Sequence, residues 1–332
     1  MDIFLSTGGL FNDPTDVTHS NANSYGRMVL TFGNDCRTAH MEFDLFAQDL
    51  QGTSELQRIV DDNVNLCLQL AETAATPAPT GSIVYQFLPT GTFSLSEIHR
   101  VNPDGSGDTA LTADDAANGD AAPSPDGSMV AFSRSNMVYI MDADGGHQQA
   151  LATGRFPDFS PDGQMLVYSD SQGIQVMQAD GTFFDNPRAT GSMPDWSPDG
   201  SQIVFNEGSD IWVMAADGSA STNLSHNPAG MSAASPRWSP DGGTIAFENC
   251  GSLFCHIVLM DGFGKNVRNL TSGEVNDFLP DWSPDGEWIS LERVNSADGT
   301  FDIWIASRDG SVIKRVTSSG MASTAKWGVS PP

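Results

Sequence analysis

Five ionisable side chains fall at one position of a repeated segment and carry the most chemistry in this sequence. Asp158, Asp195, Arg237 and Asp281 each stand two residues before the serine of a Ser-Pro-Asp-Gly tetrapeptide, and Lys326 takes the equivalent place in the closing segment Thr324-Ala325-Lys326-Trp327. Ala122 holds the position in the first copy. Three carboxylates and two cations at one level would suit a cation, a sugar or the charged end of a basic peptide. Calcium is the metal that such hard oxygen ligands favour, but it takes about 6–8 oxygens at close range, more than this set offers. The alternative is that the same side chains pair between neighbouring repeats or cap strand ends.

Motifs for covalent or metal catalysis are absent. The chain has no Gly-x-Ser-x-Gly elbow, no His-Glu-x-x-His and no phosphate-cradling glycine loop with lysine. Its histidines, His19, His40, His99, His147, His226 and His256, are scattered over different segments, and His99 and His256 occupy strand positions that read as structural. Only Tyr25, Tyr85, Tyr139 and Tyr168 offer phenols. Distant residues still converge in closed repeat folds, so a site assembled from several repeats stays open.

The four cysteines form two local pairs, Cys36 with Cys67 and Cys250 with Cys255, and neither pair has the Cys-x-x-Cys spacing of zinc or thioredoxin sites. Disulfides are the expected reading, with reduced core thiols as the alternative. Cys250 and Cys255 flank a Gly-Ser-Leu-Phe turn between two strands, a geometry that a bridge accepts. A candidate partner-contact surface lies in turn aromatics and apolars: Phe183 and Phe184 in one loop, Leu253 and Phe254 in another.

These residues are positioned by the repeat itself. Ser-Pro-Asp-Gly starts at Ser124, Ser160, Ser197, Ser239 and Ser283, at spacings of 36, 37, 42 and 44 residues. That period fits one four-stranded blade. Proline pre-sets φ for a type I turn, aspartate tolerates the next position, and glycine supplies the positive φ that releases the following strand. Each turn is followed by an apolar second strand such as Ile203-Val204-Phe205, then a third such as Ile211-Trp212-Val213-Met214, an Asp-Gly turn, and a short fourth strand ending in Leu-Thr or a relative. A sixth unit starts at Gly81 and lacks a first strand, while Thr324–Trp327 is a first strand without a blade. Joining the two closes a six-bladed ring with no open sheet edge at the seam. Trp196, Trp238, Trp282 and Trp327 share one repeat position and should pack between blades.

The pattern Pro-x-Trp-Ser-Pro-Asp-Gly, an apolar strand, Ile-Trp-Val-Met-x-x-Asp-Gly and Leu-Thr resembles the repeat of the TolB-like β-propellers over about residues 81–332. The resemblance implies an exported six-bladed propeller that works through protein contacts. It also extends to repeats beside hydrolase domains and in polysaccharide lyases, so a carbohydrate-active enzyme at the channel mouth and a calcium-dependent scaffold remain alternatives. Residues 1–72 have a different texture, with short alternating strands around Gly26–Phe32, Ala39–Leu45 and Leu56–Val60. The strand, Asn-Asp-Cys turn and later Leu-Cys resemble the C-terminal part of a small β domain of exported bacterial proteins, as expected of a piece of a longer precursor. Residues 73–80, small and proline-interrupted, read as a linker. The expected class is therefore all-β: a small N-terminal β domain, then a six-bladed propeller.

Charge narrows the partners. The net charge of −27 leaves no basic stripe for nucleic acid and disfavours anionic membrane surfaces. Much of the acidity sits in turns, where it is structural. The N-terminus shows no basic flank with an apolar run, and no segment approaches the roughly 20 apolar residues of a membrane span. The reading is a non-enzymatic protein or peptide-binding propeller of the cell envelope or extracellular space, with no resident cofactor beyond a calcium alternative.

Overall fold

The computed structural model describes the backbone of three strands within residues 27–57, together with residues 77–89, 93–182 and 189–332. The chain divides into two compact units, residues 1–76 and 77–332. In the first, Arg27–Phe32, Thr38–Leu45 and Leu50–Gln57 form an antiparallel meander. The third strand begins at Leu50, not at the alternating stretch Leu56–Val60, because Leu45 pairs directly with Leu50 and the hairpin sets the register from there.

The second unit is all strand and turn, in six sheets. Blade 1 pairs Ser82–Phe87, Glu97–Val101 and Thr109–Ala110 with the C-terminal strand Ala322–Gly328 as its innermost member. Lys326 lies opposite Val84 and Trp327 opposite Ile83, so the two ends of the propeller share one sheet. Blades 2 to 6 begin with the inner strands Asn118–Pro123, Arg155–Phe159, Ser192–Trp196, Ser232–Trp238 and Asn276–Trp282. Blade 3 has three strands among the described residues, with Ala189 bridging Ile174 where a fourth would lie.

The recurring tetrapeptide builds one hydrogen-bonded joint five times. In blade 4, Ser197 Oγ donates to Asp199 Oδ1 at 2.6 Å and accepts the backbone N–H of Gln202 at 2.9 Å. Asp199 Oδ1 also takes the Ser201 N–H at 3.0 Å, while Gly200 turns the chain at φ 71°. A side chain at that φ would strain the turn. The Leu-Thr ending has an equally local cause: Thr112, Thr271 and Thr317 accept the N–H of Ile98, Ile257 and Ile303 at 2.9–3.0 Å, and Ser225 does the same for Ile211. The hydroxyl thereby satisfies a donor of the third strand where the fourth strand stops pairing.

The core lies between blades. Trp238 packs among Val204, Ile211 and Val213 of blade 4 and Ile245 and Phe247 of its own blade. Trp196, Trp282 and Trp327 fill the same interface between blades 3 and 4, 5 and 6, and 6 and 1. Phe159 takes that position in blade 3 and packs against Ala131 and Val138 of blade 2.

Each inner strand is also kinked at one point. Asp120, Phe156, Met193, Ser235, Leu279 and Thr324 all have φ between 43° and 55°, and each lies within a register shift against the second strand. Proline follows in four of the six, as Pro157, Pro194, Pro236 and Pro280. A proline cannot donate to the ladder, so within a sheet it settles at a bulge. The antiparallel order puts these kinks and the loops between second and third strands on one face, called here the mouth face. The Ser-Pro-Asp-Gly turns form the opposite, turn face.

Candidate functional site

The kinked inner strands bring the five repeated charges together at the propeller axis. Lys326 Nζ lies 3.4 Å from Asp158, 3.5 Å from Asp281 and 3.7 Å from Asp195, at Oδ1 in each case. Arg237 Nε approaches the same Oδ1 atoms of Asp281 and Asp195 at 3.5 and 3.9 Å, and its Nη1 donates to the Pro236 carbonyl at 2.7 Å. The other carboxylate oxygens bind the next blade. Asp195 Oδ2 accepts the Trp238 N–H at 2.7 Å, Asp281 Oδ2 the Trp327 N–H at 2.6 Å, and Asp158 Oδ2 the Trp196 N–H at 3.4 Å. Every aspartate of the ring thus ties its blade to the following one and faces a cation at the axis.

Burial dominates the electrostatics here. It pushes Asp195 up to about 7, the nearby Asp158 carboxylate adding to the shift while Lys326 and Arg237 oppose it. Asp281 is raised for the same first reason, against the pull of Lys326 and Arg237. Three aspartates and two cations would carry one excess negative charge, and a proton held on the ring at mildly acidic pH removes it.

A second tier lies nearer the mouth face, built from the ends of second strands. Glu248 accepts the Leu279 N–H at 2.9 Å and Glu292 accepts the Ser323 hydroxyl, so each glutamate holds the kink of the following blade. Gln86 does this for blade 2, donating to the Asn118 carbonyl at 2.7 Å. Burial raises Glu248 and pushes Glu292 up to about 6. These three escape a reading by repeat position because the other blades carry Ser133, Ser169 and Asn206 in the same place. The visible signal was a polar residue ending an apolar strand.

Beside the ring is a cavity of about 30 Å³ lined by Phe156, Met193 and Leu279 together with Arg237 and Lys326. One water needs roughly 10–15 Å³, so it admits about two. A metal does not fit this ring as it stands: the Lys326 ammonium lies among the carboxylates where a cation would bind, and their other oxygens are engaged with backbone N–H groups. Among the described residues, no group of three or more His, Cys, Asp or Glu side chains is disposed to hold a metal ion.

The other candidate residues are dispersed. Cys250 and Cys255 are disulfide-bonded across directly paired positions of blade 5, with Cα atoms 4.0 Å apart. Cys36, Cys67, Phe183 and Phe184 lie outside the described residues. Leu253 is 79% exposed on the mouth face, and Phe254 tilts against His256 with ring centroids 6.4 Å apart. His99 is held between Glu97 at 3.1 Å and Asp108 at 3.0 Å. No helix among the described residues is long and apolar enough to cross a membrane.

Comparison with known proteins agrees with this architecture. The family model described as the TolB beta propeller domain, PD40, matches residues 194–331. No curated protein matches the chain. The solved structure of TolB from Acinetobacter baumannii is similar at TM-score 0.65 and 16% identity, covering 90% of this chain and 81% of its own. A putative TolB from Agrobacterium tumefaciens gives TM-score 0.60 and 18% identity, with coverage of 77% and 94%. A chain of a nidogen/laminin complex gives TM-score 0.59 and 13% identity, with coverage of 76% and 100%. At such identities the likeness is one of fold. Residues 77–332 form a six-bladed β-propeller that resembles the TolB structures, and its later blades match the model of the TolB beta propeller domain.

Proposed function

We propose that this chain is a non-enzymatic interaction propeller, exported to the cell envelope or beyond, whose mouth face docks a protein or peptide segment. The observation that carries this reading is the commitment of the axial charges to one another and to neighbouring backbones. They tie blade 3 to 4, 4 to 5 and 6 to 1, and toward the mouth stand the apolar Phe156, Met193 and Leu279 of the axial cavity, with Phe93 and Leu253 exposed on surrounding loops. Exposed apolar residues around a polar framework are the usual material of a docking surface. The Cys250–Cys255 disulfide accords with an oxidising compartment.

A photo-crosslinking residue placed at Leu253 on the mouth face, and separately at Phe263 on the turn face, tests it in the organism's envelope fraction. The reading predicts a discrete protein adduct from position 253 that is absent from position 263. Adducts of equal yield from both faces, or none from the mouth, would overturn it.

A further inference from the structure

Beside the axial cavity, on the same face, blades 1 to 3 line a second, open cavity of about 360 Å³. That volume lies within the ~300–1,000 Å³ of small-molecule sites. Ser133 lines it from blade 2; the residue is 3% exposed, and its Oγ is buried with no hydrogen-bond partner among the described residues.

The wall from blade 3 is a guanidinium fixed in place. Arg155 Nε and Nη2 donate to the two oxygens of the buried Asp120 carboxylate at 3.0 and 3.3 Å, and the guanidinium lies 4.8 Å from the Phe156 ring centroid. The Arg155 side chain is half exposed, and Asp120 compensates its charge. The opposite wall is the turn Ser135-Asn136, with φ 48° and 64°. The corresponding turn of blade 4 uses glycine, Gly208, at φ 63°. Glycine stands there at the place of Ser135, while Asn136 is a residue type that accepts the left-handed region, so the turn brings two polar side chains to the cavity lining. The rim is Phe93, 58% exposed and stacked on Phe301 at 6.2 Å with planes 8° apart.

The chemistry of these walls selects a ligand class. Hydroxyls and an amide both donate and accept, as sugar hydroxyls do. A supported aromatic face suits the polarised C–H face of a pyranose through its negative π-cloud. The only charges on the lining cancel within the Arg155–Asp120 pair, so nothing calls for a phosphate or carboxylate. We propose that this pocket binds a neutral saccharide of one or two rings. The inference does not rest on the docking reading: it concerns a different cavity and a different ligand, and shares only Phe93 with that surface.

The test is saturation-transfer NMR with calorimetry on the full chain. The panel is glucose, galactose, mannose, N-acetylglucosamine, cellobiose, lactose and chitobiose, with glucuronate and galacturonate as charged controls. At least one neutral sugar should bind with a Kd of about 1 mM or tighter. Phe93→Ala and Asn136→Gly should each weaken it about tenfold or more, the scale of one lost contact. Asn136→Gly should at the same time leave the melting temperature unchanged or raised, because glycine accepts the left-handed turn; a merely structural Asn136 would not separate the two readouts. No binding by any neutral member at about 10 mM, near the weak end of measurable affinity, would overturn the proposal. So would binding by the uronates alone, or binding that both variants leave intact.

Discussion

Replacing Lys326 by methionine removes the ammonium that three buried carboxylates share. The wild-type ring sets Lys326 and Arg237 against Asp158, Asp195 and Asp281; the variant leaves three acids facing one cation. At 3.5 Å and an effective dielectric of about 20, each charge contact is worth about 5 kcal/mol before desolvation is counted. Loss of one partner from a buried network typically costs about 3–5 kcal/mol, and that is the expected loss at pH 8. At pH 5 the loss should be distinctly smaller. Without Lys326 the acids are raised further, take up protons in the folded state, and no longer repel. Urea unfolding followed by tryptophan fluorescence at both pH values measures this, with an unchanged m-value showing that only stability has moved. Adding Asp281→Asn should recover part of the loss at pH 8, since the amide oxygen still accepts the Trp327 N–H. A loss under about 1 kcal/mol at pH 8, typical of exposed pairs, would refute the reasoning. Equal losses at the two pH values would refute it as well.

Trp282→Ala should cost about 3–5 kcal/mol, because the side chain is buried between blades 5 and 6 and its Nε1 donates to the Arg237 carbonyl at 3.2 Å. The double variant Cys250→Ser with Cys255→Ser should lose about 2 kcal/mol by denaturant titration, the loop-entropy value for so short a closed loop. The melting temperature should peak between about pH 4 and pH 6. Asp195 at about 7 and Glu292 at about 6 lie above their usual 3.8 and 4.5, so their contribution is full below those usual values and is lost as pH rises through 6 and 7. Asp126 and Asp199, drawn to about 2 by hydrogen bonds from Ser124 and Ser197, contribute fully above 3.8 and lose it as pH falls through 2. A melting temperature that climbs steadily from pH 5 to pH 8 would contradict these signs.

The blades were legible because their determinants are local. Ser197, Asp199 and Gly200 satisfy one another within six residues, and Thr271 closes its blade by one hydrogen bond, so turn chemistry alone marks the strands. The axial ring was legible for a related reason: repeats in register place equivalent residues at equivalent heights, and Lys326 could be located by counting back from the closing strand. The kinks at Asp120, Phe156, Met193, Ser235, Leu279 and Thr324 have no single sequence mark, since they share a backbone conformation and no residue type. Pro157, Pro194, Pro236 and Pro280 were the available clue, each standing where a strand should donate to its neighbour. The cavity over blades 1 to 3 was beyond reach of the sequence, because Phe93, Ser133, Asn136 and Arg155 meet only after three different blades have packed. The third strand of residues 1–76 runs Leu50–Gln57 and not along the alternating stretch Leu56–Val60, because the hairpin register of Leu45 and Leu50 outweighs the alternation.

A self-compensated brace leaves the axis no place for a metal ion, and the proposed binding belongs to the mouth face. Thermal unfolding of the non-reduced protein with millimolar calcium, and separately with excess chelator, tests it most directly. A ligand specific to the folded state at about 100 times its Kd adds about 2.7 kcal/mol, enough to move the midpoint visibly. With Lys326 among the carboxylates, the two melting curves should coincide. A rise with calcium that disappears in Asp281→Asn would show the ring to be a metal site and would contradict the account.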